Sequence, residues 1–352
     1  MLKYVQGLLS GRERPESRAA ARRRDAAPEE VIVDGAPTFA LRRHVFMHNG
    51  YPILDQDAVG QWIDSVPEPI KQRAWEACER AWLLHFRDAL GSAFHYDEGT
   101  TAAVLSSLDA PIANATLQYM ERTLKRIVAV LQDLAKVPEW GKDLLIVFDD
   151  QQQYYDYVSF YYPERGEFGF SGGMYISRGA GHFVTVKDDL RAIEPTIAHE
   201  MTHACLSHLP LPLWLNEGIA VNTESRLVRP PSQLATPQQM RDKHRRFWGE
   251  SELQQFWSGR SFGRPDEGQE LSYDLARVMV EQLAKDWEPF KRFAAAADFK
   301  DGGAAAAHEH LGTGLGFIAA ALLEKDASPA CDPQPERWEV TPDDTPRSAS
   351  TE

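Results

Sequence analysis

Residues 199–203 read His199-Glu200-Met201-Thr202-His203, two imidazoles four positions apart with a carboxylate beside the first. On a helix, positions i and i+4 share a face, so both rings reach one cation. Glu200 stands about 100° of helical rotation from His199. It can flank the ion without ligating it, which is where a general base for water is needed. The chemistry this pattern serves is metal-assisted hydrolysis.

A hydrolytic zinc site takes three protein ligands and keeps one position for water. Downstream lies Leu213-Trp214-Leu215-Asn216-Glu217-Gly218-Ile219-Ala220. A carboxylate among so many apolar neighbours is costly unless it is paired or bound to a cation. Glu217 is therefore the expected third ligand. Leu209-Pro210-Leu211-Pro212 stops the first helix and turns the chain back toward it. Glu224 is the rival, set among polar residues. His208 does not fit the longer H-E-x-x-H-x-x-G-x-x-H arrangement, because Leu206 and Leu209 occupy the glycine and final histidine positions. His182 reads as a structural or substrate-facing residue. Cys205, about 200° around the helix from His203, faces away from the ion and belongs to the core. His308-Glu309-His310 lacks ligand spacing and reads as a polar helix surface.

The elements that must position these groups follow from periodicity. Met174–Ser177 and His182–Val186 are expected strands joined by Gly179-Ala180-Gly181, and Leu144–Phe148 is a continuous apolar run of the buried-strand kind. The metal-binding helix is expected to start at Pro195. Helices are expected over Ser272–Leu283 and Gly316–Leu323. Upstream, Ile70–Leu90 and a stretch from Asn114 or Thr116 to about Leu134 show helical spacing, the latter with Pro138 just beyond its end. Val31–Val33 and Phe39–Met47 read as extended around the turns Asp34-Gly35 and Asn49-Gly50.

With these residues in place, the chain resembles the gluzincin superfamily, the thermolysin- and aminopeptidase-like (peptidase MA-like) zinc metallopeptidases. The resemblance is carried by His199-Glu200-Met201-Thr202-His203 and Trp214-Leu215-Asn216-Glu217-Gly218 and covers roughly residues 141–325. It implies an α+β, zincin-like catalytic domain: a small mixed sheet, the H-E-x-x-H helix and a helical C-terminal part. It also implies a Zn2+ ion held by His199, His203 and Glu217, with Glu200 as general base. An oxyanion-binding tyrosine on a later helix is implied too, for which Tyr273 is the candidate. An edge strand for the substrate is expected around Gly172-Gly173-Met174-Tyr175. Two positions depart from the family. Tyr175 stands where aminopeptidases carry the glutamate that anchors a free amine, which favours an endopeptidase. Val221 stands where thermolysin-like enzymes have an aspartate that steadies a histidine ligand, so another group must do this. The function implied is zinc-dependent peptide-bond hydrolysis. The alternative is a catalytically inactive zinc-binding interaction module of the same fold.

Size and composition set the frame. The chain has 352 residues, 43% hydrophobic and 26% charged, with a net charge of −14. The charge argues against nucleic acid as the main partner; the substrate that the resemblance implies is a peptide or protein. No apolar stretch reaches the roughly 20 residues of a membrane span, and Val5–Leu9 is too short for an export signal. Three dispersed cysteines, Cys78, Cys205 and Cys331, do not form a disulfide framework, so a cytoplasmic setting without membrane association is expected. The expected organisation is a flexible arm over 1–30 with the basic run Arg18, Arg22, Arg23 and Arg24, then a mostly helical region over 31–140. The zincin-like catalytic domain follows over 141–327 and a disordered tail over 328–352.

Overall fold

The computed structural model describes residues 25–137, 140–161, 173–176, 180–187, 190–228 and 236–338. A hairpin opens the described chain: β1 (Val45–His48) and β2 (Tyr51–Leu54) pair antiparallel across Asn49-Gly50, both residues having positive φ. Helices α1 (Gln56–Ser65) and α2 (Lys71–Leu90) follow, then β3 (His95–Glu98), β4 (Ala102–Ser106) and α3 (Ala110–Leu131). Next come β5 (Asp143–Phe148), α4 (Gln151–Val158), β6 (Gly173–Ile176) and β7 (His182–Val186). The rest is helical: α5 (Leu190–Leu206), α6 (Leu213–Leu227), α7 (Pro237–Phe247), α8 (Glu250–Trp257), α9 (Gly268–Leu283), α10 (Trp287–Ala296), α11 (Ala304–Leu311) and α12 (Leu315–Leu322). The class is mixed α+β.

Five of these strands form one sheet in the order β3-β4-β5-β7-β6, with β4, β5 and β7 parallel and the two outer strands antiparallel. Every residue of β4 and β5 is buried, as strands covered on both faces must be. Alternation sorts the side chains. Val104, Leu145, Val147 and Phe183 face a core shared with α3, α5 and the C-terminal helices. Leu105, Leu144, Ile146 and Val184 face a second core built with α2, α4 and the hairpin.

Several expected boundaries shift. The sheet takes two strands, β3 and β4, from the region expected to be mostly helical, so a division at residue 141 would cut through it. Helix α3 begins at Ala110 because Pro111 fits its first turn. Helix α5 begins before Pro195, which lies inside it. Residues 25–28 are anchored where a flexible arm was expected: Arg80 pairs with Asp25 at 2.6 Å, and Arg87 donates to the Asp25 carbonyl at 2.7 Å. Residues 329–338, expected in a disordered tail, pack on α8. There Gln254 donates to the carbonyls of Ala330 and Asp332 and accepts from the Trp338 indole. The basic run, Pro138, Gly172, Ser177, Gly179 and residues 339–352 lie outside the described residues. Among the described residues no helix is long and apolar enough to cross a membrane.

Candidate metal centre

Helix α5 lies against the outer strands because glycine lets it approach. A Cβ on Gly173 of β6 would sit 2.5 Å from the Thr196 methyl on α5. One helical turn further on lies Glu200, whose carboxyl is raised by burial and drawn down, among other causes, by the nearby backbone N–H of Tyr175. The adjacent side of α5 carries His199 and His203, about 100° and 60° of helical rotation from Glu200.

Helix α6 brings the carboxylates. Pro210 and Pro212 end the preceding turn, and α6 then packs along α5. His199 Nε2 lies 3.1 Å from His203 Nε2 and 3.2 Å from Glu217 Oε2, and His203 Nε2 lies 3.5 Å from Glu217 Oε2. The edges of a tetrahedron whose centre is about 2.0–2.1 Å from each ligand are about 3.3 Å. The three atoms fit that triangle. The side chains are 16, 13 and 12% exposed, sheltered yet reachable. They form a group that could hold a metal ion.

The far side of each ring shows why a cation suits the site. His199 Nδ1 donates to Glu224 Oε2 at 3.2 Å, and His203 Nδ1 donates to Asn216 Oδ1 at 3.0 Å. Carboxylate and amide oxygens only accept, so a neutral ring at either position carries its proton on Nδ1 and presents its Nε2 lone pair. Two lone pairs and a carboxylate oxygen then converge on one point, which demands positive charge. The ionisation equilibria report the same demand. Burial disfavours a charged His199 ring, but Glu217 and Glu224 outweigh it and push its pKa up to about 10. Burial favours a neutral Glu217, yet His203 and His199 hold it well below the usual carboxylate range. Burial raises the Glu200 carboxyl against the pull of the same two rings.

The rival third ligand is thereby placed. Glu224 lies on the outer nitrogen of His199, two helical turns after Glu217 on the same face of α6. It supplies the orienting carboxylate that Val221 lacks. Asn216 does the same for His203, a role the sequence reading left unassigned although the residue adjoins Glu217. Such partners fix tautomer and ring orientation.

Tyr273 is in the second turn of α9, and α9 reaches α6 through Gly218. A Cβ there would lie 2.6 Å from both the Ala276 carbonyl and a Val280 methyl. Asn222 reinforces the crossing by donating to the carbonyls of Gly218 and Arg277 at 2.7 and 2.9 Å. Burial raises the Tyr273 phenol, and the charges of Glu217 and Glu200 add to it.

The remaining sequence candidates fall outside the cluster. His182 is fully buried in the second core. Its Nδ1 donates to the Ala180 carbonyl at 2.7 Å, its Nε2 accepts from the Tyr157 hydroxyl at 2.7 Å, and burial lowers its pKa to about 4. Of the two roles expected for it, the structural one holds. His208 is exposed, Cys205 is buried in the first core, and His308 and Glu309 are exposed on α11. The Tyr175 ring lies against Phe183 with centroids 4.9 Å apart, and its hydroxyl covers Gly181, where a side chain would collide with it. No protein-family model matches the chain, and no curated protein matches it.

Proposed function

We propose that the protein is a zinc-dependent peptidase of the gluzincin type, with a zincin-like catalytic fold. The observation that carries this reading is the convergence of His199 Nε2, His203 Nε2 and Glu217 Oε2 within 3.1–3.5 Å, with Glu200 beside them. Two imidazoles and one carboxylate are the donor set of hydrolytic zinc sites, which is why zinc is favoured over harder cations. When bound, the ion supplies a Lewis acid that brings the pKa of water toward about 7 and polarises a carbonyl.

The chain's own groups do the rest. Glu200 takes the proton of the attacking water and returns it to the leaving amine; burial that raises its pKa suits a base working near neutrality. Tyr273 donates its hydroxyl to the oxyanion as the carbonyl becomes tetrahedral, a contact worth about 3–4 kcal/mol in comparable sites. Glu224 and Asn216 keep both Nε2 atoms aimed inward. An extended peptide adds along the outer edge of β6, where main-chain groups recognise main chain. Since the Tyr175 side chain packs over Gly181 and Phe183, β6 offers no carboxylate there for a free amine. The substrate is accordingly an internal peptide bond.

The test is incubation of zinc-loaded protein with a random peptide library. Chelator-sensitive cleavage at internal bonds is expected. Stoichiometric zinc with no cleavage would overturn the peptidase reading and leave a metal-binding interaction module.

A further inference from the structure

A buried imidazole that takes no part in the metal cluster lies one helix away from it. His244 on α7 is 8% exposed and sits between two partners. Its Nδ1 accepts the Trp248 indole N–H at 2.8 Å. That leaves the proton on Nε2, which donates to Asp274 Oδ2 at 2.9 Å. Asp274 is held on its other oxygen by Arg277, through Nε at 3.1 Å and Nη2 at 2.8 Å. Asp274 directly follows Tyr273 in α9.

Trp248 reaches the same place by a second route made of rings. Its indole, 1% exposed, packs edge-on against Phe256 at 5.6 Å. Phe256 stacks on Phe262 at 5.7 Å, and Phe262 meets the Tyr273 ring edge-on at 5.1 Å. Trp248, His244, Asp274, Tyr273, Phe262 and Phe256 thus close a circuit that is polar on one side and aromatic on the other. The turn carrying Phe262 is itself pinned to α9, since Ser272 Oγ donates to Ser261 Oγ at 2.7 Å.

The geometry points to His244 and Trp248 as positioning residues for Tyr273, a clamp that fixes where its hydroxyl meets the metal cluster. A tyrosine hydroxyl is at the end of a long lever, so small rotations at the start of α9 move it by a large part of an ångström. Misplacement on that scale costs about ten- to a hundredfold in rate where a group must meet a reacting atom. The polar arm sets the helix and the aromatic arm sets the ring, and both end on one indole.

The kinetic part of this inference rests on the peptidase reading; its structural part does not. The experiment places a single 3-fluorotyrosine at position 273 in the zinc-loaded full chain and compares the parent with His244→Leu, His244→Gln and Trp248→Phe. His244→Leu should shift the fluorine resonance, keep stoichiometric zinc and lower kcat about tenfold with KM within about twofold. His244→Gln retains a donor for Asp274 and should recover most of the parent resonance and rate. In a Tyr273→Phe background, His244→Leu should cost nothing further. An unmoved resonance in both His244→Leu and Trp248→Phe, or the same loss of kcat in the Tyr273→Phe background, overturns the clamp. If the parent cleaves no peptide, the peptidase reading fails, while the resonance still decides whether His244 holds Tyr273.

Discussion

Glu217 and Glu224 both touch His199, and the proposed function gives them different work that metal affinity can separate. Glu217 Oε2 lies 3.2 Å from Nε2, on the side where His203 Nε2 converges; Glu224 Oε2 lies 3.2 Å from Nδ1, on the opposite edge of the ring. Removing the first deletes one of three ligands. Zinc held by four protein ligands binds with about 10–16 kcal/mol, or about 3–4 kcal/mol per ligand, so Glu217→Ala should weaken zinc by roughly two to three orders of magnitude. Glu224→Gln keeps every ligand and removes only the charge orienting one of them. Loss of such an outer partner costs about 10–100-fold, equivalent to about 1.4–2.7 kcal/mol. Asn216→Ala should fall in the same range through His203. Competition against a chelator of known affinity, at fixed pH and ionic strength, measures all three. Equal losses for Glu217→Ala and Glu224→Gln, or a larger loss for Glu224→Gln, would refute the assignment of ligand and orienting group.

Three further perturbations test other links. Glu200→Gln should bind zinc as the parent does and lose at least about a thousandfold in peptide hydrolysis, because the proton acceptor goes while the ligands stay; undiminished turnover rules Glu200 out as the base. Gly218→Ala places a methyl 2.6 Å from the Ala276 carbonyl, so α6 and α9 must part by close to an ångström. Overpacking of about 1–3 kcal/mol, less about 1 kcal/mol from better helix propensity, predicts a net loss of about 0–2 kcal/mol in urea unfolding, and a variant more stable than the parent contradicts it. His182 has a folded pKa of about 4 against 6.5 in the unfolded chain, so between these values only the unfolded chain takes up the proton. Stability therefore falls as pH drops from 6.5 to 4, by about 3 kcal/mol from this group. The stability gap between the parent and His182→Asn should shrink by that amount over the window; parallel curves would show that His182 does not titrate as described.

What could be read from the sequence was local. The i, i+4 spacing of His199 and His203 is a property of one helix, and Glu217 stood out because its neighbours Trp214, Leu215 and Ile219 had to be buried. Helix α2 and the strands β5 and β7 were legible from unbroken periodicity or apolar runs. Strand β3, His95-Tyr96-Asp97-Glu98, was not, because its polar composition makes it a strand only through pairing with β4.

Tertiary structure decided the rest. Whether Glu224 ligated or oriented depended on which edge of the His199 ring α6 passes, and that is set by the α5–α6 packing rather than by either helix alone. The Asn216 contact and the close approach of α9 to α6 at Gly218 likewise join segments far apart in the chain. The spacing of residues along one helix is fixed by covalent geometry, so the two histidines could be recognised from the sequence alone. Distances between helices depend on how whole surfaces pack, so the partners that let the two rings form a group able to hold a metal ion appear only once the chain is folded.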